Sequence, residues 1–256
     1  MKVVILAGGF GTRLGEETSI IPKPLVTIGD MPILWHIMKI YSCYGFNDFI
    51  ICLGYKSNLI KEFFAKLKMY ESDFTVDYSN EGKIYYYDDN SCNWKVTLVD
   101  TGLSTMTGGR LKRVKQYIGD EEFMFTYGDG VANVDINKLI ESHRNSNKIT
   151  TVTAVKPTAR FGSLVLNNND VVDLREKITG DEEFINGGFF VSSPKIFDYI
   201  DDDNCILEQY PLRTLANENQ LNAYKHDGFW QPMDILKEKK YLNKLWNSNE
   251  APWKIW

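Results

Sequence analysis

A glycine-dense segment near the start of the chain constrains the fold more than any other feature. Residues 6–14 read LAGGFGTRL, follow the apolar run Val3–Leu6, and precede an apolar-periodic segment that begins at Ile33. A short β-branched run of this kind is typical of a buried strand. Glycines at the end of such a strand let backbone N–H groups approach a ligand, because no Cβ stands in the way. The segment therefore predicts a strand followed by a loop that binds an anion, usually phosphate.

Two familiar phosphate-binding loops do not match this segment. A P-loop ends in Gly-Lys-Ser/Thr, whereas Gly11 is followed by Thr12 and Arg13. The dinucleotide fingerprint of Rossmann dehydrogenases needs a third glycine where Leu14 stands, and an acidic residue about 20 positions later. The second strand instead closes as LGYK at residues 53–56. Both classes are therefore disfavoured.

Two cations distinguish the loop. Arg13 lies within it, and Lys23 follows in the sequence Pro22-Lys23-Pro24. Fixed cations of this kind suit a triphosphate whose terminal diphosphate must depart. A Gly-rich turn with solvated cations is the structural alternative, which the presence of both Arg13 and Lys23 makes less favourable than a phosphate site.

Strand and helix patterns alternate after the loop. The apolar run Asp48–Leu53 predicts a second strand, and helical stripes precede and follow it. Asp30 is predicted to cap the first of these helices, Gly45 to end it, and Ser57 to cap the second. Such alternation predicts an α/β fold with a mostly parallel sheet, flanked by helices, whose ligands lie beyond the carboxyl ends of the strands.

Residues 74–101 interrupt that alternation with three short strand-like runs. The middle run, Ile84–Tyr87, is aromatic, so we expect a small β-hairpin excursion from the main sheet. It can be a tyrosine-rich edge strand or an oligomer contact, and the pattern favours neither.

Composition excludes several function classes. The chain has 256 residues, 43% apolar content and a net charge of −5, which fits one large domain over 1–256 and argues against a general nucleic-acid surface. Its four cysteines show no C-x-x-C pairing, which favours reduced thiols. No apolar stretch approaches the length of a membrane span, so we expect a soluble, cytoplasmic protein without membrane partners.

Two aspartates are candidate metal ligands. Asp129 lies between Gly128 and Gly130 after the apolar run Phe123–Tyr127, at a predicted strand end above the phosphate loop. Mg²⁺ takes few protein carboxylates and completes its shell with water and phosphate oxygens, although an Asp-Gly turn is the common alternative. Asp234 precedes a predicted helix, and the sequence alone favours a helix N-cap there.

Two further glycine pairs can present backbone to a ligand. Thr107-Gly108-Gly109-Arg110 opens a helix, where Ser104, Thr107 and the backbone amides can contact a base, ribose or phosphate; a simple capped helix explains it equally well. Asn186-Gly187-Gly188 suits sugar hydroxyls, and a tight turn into a strand is the competing explanation.

Several separated blocks, in order, give the chain a family resemblance. The pattern GGxGTRL followed by PKP resembles the signature of the sugar-1-phosphate nucleotidyltransferases, and the likeness continues almost to the end of the chain. The blocks concerned lie at residues 32–38, 107–113, 125–130, 185–190 and 228–234. Together they most resemble the members that use CTP and α-D-glucose 1-phosphate.

The resemblance implies a fold and a reaction. It implies the nucleotide-diphospho-sugar transferase fold, a Rossmann-like mixed sheet, with residues 1–130 mainly binding nucleotide and 131–256 mainly binding sugar phosphate. It implies Mg²⁺-dependent transfer of a cytidylyl group from CTP to α-D-glucose 1-phosphate, in a homo-oligomer that supplies nucleotide sugar for surface polysaccharide. Another base, another sugar phosphate, or a regulatory subunit without catalysis remain the alternatives.

The resemblance also assigns roles to residues of this chain. The expected catalytic residues are Arg13, Lys23 and Asp129, and the expected metal ligands are Asp129 and Asp234. The expected nucleotide contacts are Leu6, Ala7, Gly8, Gly9, Gly11, Thr12, Arg13, Lys23, Ser104, Thr107, Gly109 and Gly128. The expected sugar-phosphate contacts are Tyr127, Glu176, Lys177, Asn186 and Gly187. Ile178 stands where relatives usually carry a proline, which leaves the Glu176 and Lys177 charges intact but changes the local backbone.

Overall fold

The described part of the chain covers most of the sequence. The computed structural model describes residues 1–87, 92–156, 163–167, 170–175 and 184–256, and the side chains of these except at positions 13, 16 and 163–175. The predicted sugar-phosphate contacts Glu176 and Lys177, together with Ile178, lie outside the described residues.

Helices and strands alternate along the described residues. The strands are β1 (Val3–Leu6), β2 (Thr27–Ile28), β3 (Met31–Pro32), β4 (Asp48–Leu53), β5 (Phe74–Asp77), β6 (Lys83–Tyr86), β7 (Lys95–Asp100), β8 (Phe123–Tyr127), β9 (Gly130–Ala132), β10 (Thr150–Val155), β11 (Ser163–Asn167), β12 (Asp170–Arg175), β13 (Ile185–Ser192), β14 (Leu221–His226) and β15 (Trp230–Pro232). The helices are α1 (Glu16–Ile20), α2 (Ile33–Ser42), α3 (Ser57–Glu71), α4 (Thr107–Arg113), α5 (Lys115–Ile118), α6 (Ile136–Ser146), α7 (Tyr210–Asn217) and α8 (Leu236–Asn247). Short 3₁₀ helices occur at Thr12–Leu14, Lys23–Leu25 and Pro194–Tyr199.

A seven-stranded sheet forms the centre, in the order β14-β10-β13-β8-β1-β4-β7. β8, β1, β4 and β7 are parallel neighbours, β13 runs antiparallel between β8 and β10, and β14 is parallel to β10. The predicted α/β class with a mostly parallel sheet is confirmed. Because parallel strands end at the same edge, the loops after β1 and β8 lie side by side.

The two faces of the sheet bury different residues of the same strands. Val3 and Ile5 of β1 belong to one core cluster with α2, α6 and α8, while Val4 and Leu6 belong to a second with α4, α5 and α7. Side chains alternate between the faces of a strand, so a run with apolar residues at every position needs helices on both sides. This explains why β1 is a continuous apolar run.

Shorter hairpins project from this framework. β5 and β6 pair as an antiparallel two-stranded sheet apart from the main one, which confirms the predicted hairpin excursion for the first two of the three strand-like runs. The third run is β7, which instead continues the parallel main sheet beside β4. β11 pairs with β12, and β15 pairs with β9. The β9–β15 pair matters most for the site.

Three helix-terminus predictions were wrong in detail. The N-cap of α2 is Pro32, without a side-chain cap, because Asp30 lies in the turn between β2 and β3; the helix ends at Ser42, before Gly45. The N-cap of α3 is Lys56, in the left-handed region, and Ser57 is the first helical residue. Turn geometry displaced the expected caps by one or two positions.

The aromatic end of the chain packs against the chain itself. Trp253 is fully buried, stacked on Phe229 and Trp246, and its indole nitrogen donates to Nδ1 of His36 at 3.4 Å. The four cysteines are free thiols, as predicted. Over the described residues, no helix combines the length and apolar character that crossing a membrane requires.

Candidate active site

A cleft of about 450 Å³ opens at the carboxyl edge of the parallel strands. Its walls come from the loops after β1 and β8, the start of α4, the 3₁₀ helix at Lys23 and the segment before α8. Of the residues assigned from the sequence, the cleft is lined by Leu6, Ala7, Gly8, Gly9, Gly11, Thr12, Lys23, Ser104, Thr107, Tyr127, Gly128, Asp129 and Asp234. Elements far apart in the chain thus bring most of the predicted site residues to one place.

The glycine loop is held close to its neighbours. The carbonyl of Gly8 accepts from the N–H of Tyr55 at 3.1 Å, and the N–H of Ala7 donates to Cys52 at 3.0 Å. A Cβ on Gly54 would lie 2.5 Å from the carbonyl oxygen of Gly8, and Gly11 has a φ of +65°. The glycines are therefore required by close approach and by backbone conformation as well as by access for a ligand.

A buried arginine, Arg110, holds together the backbone segments that form the cleft wall. Its guanidinium donates to the carbonyls of Gly8, Leu53, Gly102 and Leu103 and to the hydroxyl of a threonine, at 2.7 to 3.2 Å. Burial lowers the pKa of Arg110, but an arginine stays charged in a protein. Sequence analysis assigned it no role, although a cation inside a Thr-Gly-Gly-Arg helix start was a visible signal.

The two candidate metal ligands converge, because they follow and precede paired strands. Asp129 comes directly before β9 and Asp234 shortly after β15, and in the antiparallel register Pro232 faces Gly130. The N–H of Met233 donates to the carbonyl of Asp129 at 2.8 Å. This pairing brings together two carboxylates that are 105 residues apart in the sequence.

Lys23 lies between these carboxylates. Its Nζ is 2.6 Å from Oδ2 of Asp129 and 2.6 Å from Oδ1 of Asp234, so the two oxygens are at most 5.2 Å apart. Burial lowers the pKa of Lys23, but Asp129 and then Asp234 raise it by more, and the net pKa lies above its ordinary value. The lysine is therefore a fixed cation that offsets the repulsion of two neighbouring carboxylates.

Asp234 is not the helix N-cap that the sequence alone favoured. The N-cap of α8 is Ile235, and Oε2 of Glu238 accepts from the backbone N–H groups of Asp234 at 2.6 Å and Ile235 at 3.2 Å. Glu238 is buried and, as the third helical residue, accepts from backbone N–H groups at the start of α8, as in a capping box. The side chain of Asp234 lines the cleft.

The donor set at this point fits a hard divalent cation. Two carboxylate oxygens within 5.2 Å of each other are close to the spacing of about 4.2 Å or less that one Mg²⁺ at about 2.1 Å from each requires. Within the described residues no cluster of three or more His, Cys, Asp or Glu side chains provides a metal cage. At nucleotide sites Mg²⁺ prefers one or two protein carboxylates, and water and phosphate oxygens complete its coordination shell.

A hydrogen-bond network joins the two ends of the cleft. The Tyr127 hydroxyl donates to Oε1 of Glu208, and the Thr107 hydroxyl donates to Oε2 of Glu208 at 2.8 Å. Nδ2 of Asn186 donates to the Tyr127 hydroxyl at 3.1 Å. Burial, followed by the charge of Glu208, raises the pKa of Tyr127, so the phenol is protonated at neutral pH. Sequence analysis missed Glu208, which lies in no recognisable motif.

The two glycine amides at the start of α4 are already hydrogen-bonded within the protein. The N–H of Gly108 donates to the carbonyl of Cys205 at 2.9 Å, that of Gly109 to the same oxygen at 3.3 Å, and that of Met106 to Asp203 at 2.8 Å. A Cβ on Gly109 would lie 2.6 Å from the Asp203 backbone. Gly109, expected to contact nucleotide, is therefore used to pack segment 203–205 and is not among the residues that line the cleft.

The predicted sugar contacts of β13 are not among the residues that line the cleft. Asn186 is exposed and reaches the cleft wall through Tyr127, while Gly187 is buried and its carbonyl accepts from the Trp230 indole at 2.7 Å. A Cβ on Gly188 would lie 2.7 Å from the Tyr127 ring, so this glycine allows the ring to pack on β13.

Comparison with known proteins gives a consistent assignment. The family model described as "Nucleotidyl transferase" matches residues 2–235. Glucose-1-phosphate cytidylyltransferase of Salmonella typhimurium is 53% identical over 257 residues, and the probable glucose-1-phosphate cytidylyltransferase of Bacillus subtilis is 45% identical; in both cases all of each chain is covered.

Solved structures resemble the fold over nearly its full length. HddC from Yersinia pseudotuberculosis superposes with a TM-score of 0.69 at 26% identity, covering 96% of this chain and 99% of that one. An apo UDP-glucose pyrophosphorylase gives a TM-score of 0.70 at 16% identity, covering 97% of this chain and 98% of that one, a likeness of fold alone. The nucleotide-diphospho-sugar transferase fold is thereby confirmed.

Proposed function

This chain belongs to the nucleotidyl transferase family, and we propose that it transfers the cytidylyl group of CTP to α-D-glucose 1-phosphate, giving CDP-glucose and pyrophosphate. The observation that carries this proposal is the 53% identity, over all of both chains, to a glucose-1-phosphate cytidylyltransferase. The cleft supports it with two converging carboxylates, a cation between them and a glycine loop opposite.

The reaction needs no protein nucleophile. An oxygen of the sugar phosphate, already anionic at pH 7, forms a bond to the α-phosphorus of CTP, and the bond from that phosphorus to the β-phosphate oxygen breaks. The electron pair leaves with pyrophosphate. Catalysis then consists of positioning two mutually repelling anions and stabilising charge at the α-phosphorus.

The carboxylates of Asp129 and Asp234 would hold Mg²⁺. When bound there, the ion would supply positive charge that neutralises the phosphates. Lys23 lies between the carboxylates, and we expect its ammonium to turn to the nucleotide phosphates when the ion binds. Arg13, whose backbone follows the glycine loop, would stabilise the departing pyrophosphate.

The sugar phosphate would bind on the other side of the cleft. Tyr127, Asn186 and Gly187 lie there, and Glu176 and Lys177 would hold a sugar hydroxyl and the sugar phosphate, respectively. We propose, accordingly, that residues 1–130 mainly bind the nucleotide and residues 131–256 mainly bind the sugar phosphate. We further propose a cytoplasmic homo-oligomer, for which the exposed Tyr78 on the β5–β6 hairpin is a candidate contact.

The test is pyrophosphate release over a grid of CTP, UTP, dTTP and ATP against several sugar 1-phosphates, with Mg²⁺ and with a chelator. Release with CTP and glucose 1-phosphate, abolished by the chelator, is the expected result. Release only with another pair would contradict the substrate assignment, and no release with any pair would contradict the enzyme assignment.

A further inference from the structure

One carboxylate, Glu208, receives two hydroxyl groups that both line the cleft. Tyr127 donates to its Oε1, and Thr107 donates to its Oε2 at 2.8 Å. Tyr127 ends β8 on the proposed sugar side, and Thr107 begins α4 on the proposed nucleotide side. Glu208 itself lies behind them, in the segment before α7.

The directions of these hydrogen bonds are fixed by their other partners. The Thr107 oxygen accepts from the N–H of Leu207 at 2.9 Å, and the Tyr127 oxygen accepts from Nδ2 of Asn186 at 3.1 Å. Each hydroxyl has one proton. Both protons therefore point to Glu208, so toward a ligand each of these oxygens can act only as an acceptor.

Asn186, in contrast, is a hydrogen-bond donor toward the ligand. Its Oδ1 accepts from the N–H of Gly188 at 2.8 Å, which orients the amide so that Nδ2 faces Tyr127. One of the two Nδ2 protons serves Tyr127, and the second can be donated to a ligand. The wall thus presents an acceptor at Tyr127 beside a donor at Asn186, which complements a sugar hydroxyl that donates to one and accepts from the other.

We propose that Glu208 is a positioning residue that makes Tyr127 a hydrogen-bond acceptor for one hydroxyl of the sugar 1-phosphate, and so sets which sugar the cleft selects. This inference rests on the proposed function. Glu208 acts through Tyr127, since the carboxylate takes the phenol proton that would otherwise be free to face the ligand. Reversing this polarity leaves a buried polar group unpaired against the sugar, which is the strongest source of discrimination that a polar site has.

Glu208→Gln tests this role with little change in shape. Its amide oxygen can accept from one hydroxyl, but its amide nitrogen donates, so one hydroxyl must turn its proton away from residue 208. The matched control is Glu218→Gln, because Glu218 accepts from the Tyr199 hydroxyl at 2.6 Å on the exposed surface, away from the cleft.

The experiment measures KM and kcat for CTP and for glucose 1-phosphate in the wild type, Glu208→Gln, Tyr127→Phe, the double variant and Glu218→Gln, with melting temperatures. We expect Glu208→Gln and Tyr127→Phe each to raise KM for glucose 1-phosphate about tenfold, the effect of about 1.4 kcal/mol for one hydrogen bond. KM for CTP should rise less than KM for glucose 1-phosphate, because Thr107 keeps its hydrogen bond from the N–H of Leu207. The double variant should be no worse than Tyr127→Phe, because coupled residues are not additive.

A second arm uses deoxyglucose 1-phosphates that each lack one hydroxyl. One analogue should be a poor substrate for the wild type, as measured by the ratio of kcat/KM for glucose 1-phosphate to kcat/KM for that analogue. Glu208→Gln should lose most of this discrimination. A purely structural role of Glu208 would leave the ratio unchanged. Additive effects in the double variant, a rise in KM for CTP alone, or Glu208→Gln behaving like Glu218→Gln would overturn the inference. In those cases the wild type still turns over, whereas an inactive wild type would overturn the proposed function and this inference with it.

Discussion

The most informative perturbation outside the cleft is Glu238→Ala. The carboxylate is 7% exposed, and its Oε2 accepts from the N–H groups of Asp234 and Ile235 at 2.6 and 3.2 Å. A helix cap contributes about 1 kcal/mol, and a hydrogen bond to a charged group about 1.5 to 3 kcal/mol. We expect Glu238→Ala to lower the free energy of unfolding by about 2 kcal/mol, which corresponds to roughly 4 to 8 °C in melting temperature for a chain of this size.

The same substitution should weaken the proposed metal site. With Glu238 absent, the N–H groups of Asp234 and Ile235 lose their acceptor, so the backbone that carries the Asp234 carboxylate is held less firmly opposite Asp129. We expect the Mg²⁺ concentration for half-maximal pyrophosphate release to rise about tenfold, the effect of about 1.4 kcal/mol on ligand binding. The assay is a Mg²⁺ titration at saturating CTP and glucose 1-phosphate.

Asp135→Ala provides the matched control. Asp135 caps α6, where its Oδ1 accepts from the N–H of Lys138 at 3.0 Å. Its loss should cost about 1 kcal/mol of stability without changing the Mg²⁺ requirement. If Glu238→Ala were destabilised and yet kept the wild-type Mg²⁺ titration, the idea that Glu238 positions Asp234 in the cleft would be wrong.

Three further predictions concern other parts of the chain. Asp129→Ala should reduce kcat by two to three orders of magnitude, the effect of about 3 to 4 kcal/mol for one preorganised charge, with an unchanged circular dichroism spectrum; wild-type turnover would contradict the assignment. Gly8→Ala should destabilise the protein by about 1 to 3 kcal/mol, because its Cβ would lie 2.1 Å from the Arg110 guanidinium. The control is Gly9→Ala, since a Cβ at Gly9 meets nothing within 4 Å. Equal urea midpoints for Gly8→Ala and Gly9→Ala would refute this. Burial lowers the pKa of His36 to about 4, so below about pH 6.5 the unfolded chain binds more protons than the folded one. The free energy of unfolding should therefore fall by about 2 kcal/mol between about pH 7.5 and about pH 5. His36→Gln should remove this part of the pH dependence, as measured by urea unfolding.

Local sequence patterns predicted the framework well. Apolar runs such as Val3–Leu6 and Asp48–Leu53 became buried parallel strands, since a strand covered on both faces needs apolar residues at every position. The excursion over residues 74–87 was also visible, because short aromatic strands interrupt the helical stripes. These features depend on periodicity within a few residues.

Contacts between distant segments were beyond such patterns. Local sequence patterns identified Asp129 and Asp234 separately. Their convergence depends on the pairing of β9 with β15, and only the family resemblance suggested that the two aspartates act together. Asp234 looked like a helix cap because the sequence does not show that the N-cap of α8 is Ile235, with Glu238 accepting from the N–H of Asp234. Glu208 was missed for the same reason, since its partners Thr107 and Tyr127 lie about a hundred and about eighty residues away.

The central claim is that Asp129 and Asp234 hold one divalent ion between them when nucleotide and sugar bind. Its most direct test is a crystal structure with CDP-glucose and Mn²⁺, in which the anomalous signal locates the metal. The account predicts a single ion at about 2.1 to 2.2 Å from an oxygen of each aspartate, with Lys23 Nζ displaced from its present position between them. An ion bound by only one or neither of these carboxylates, with Lys23 still joining the two, would contradict it.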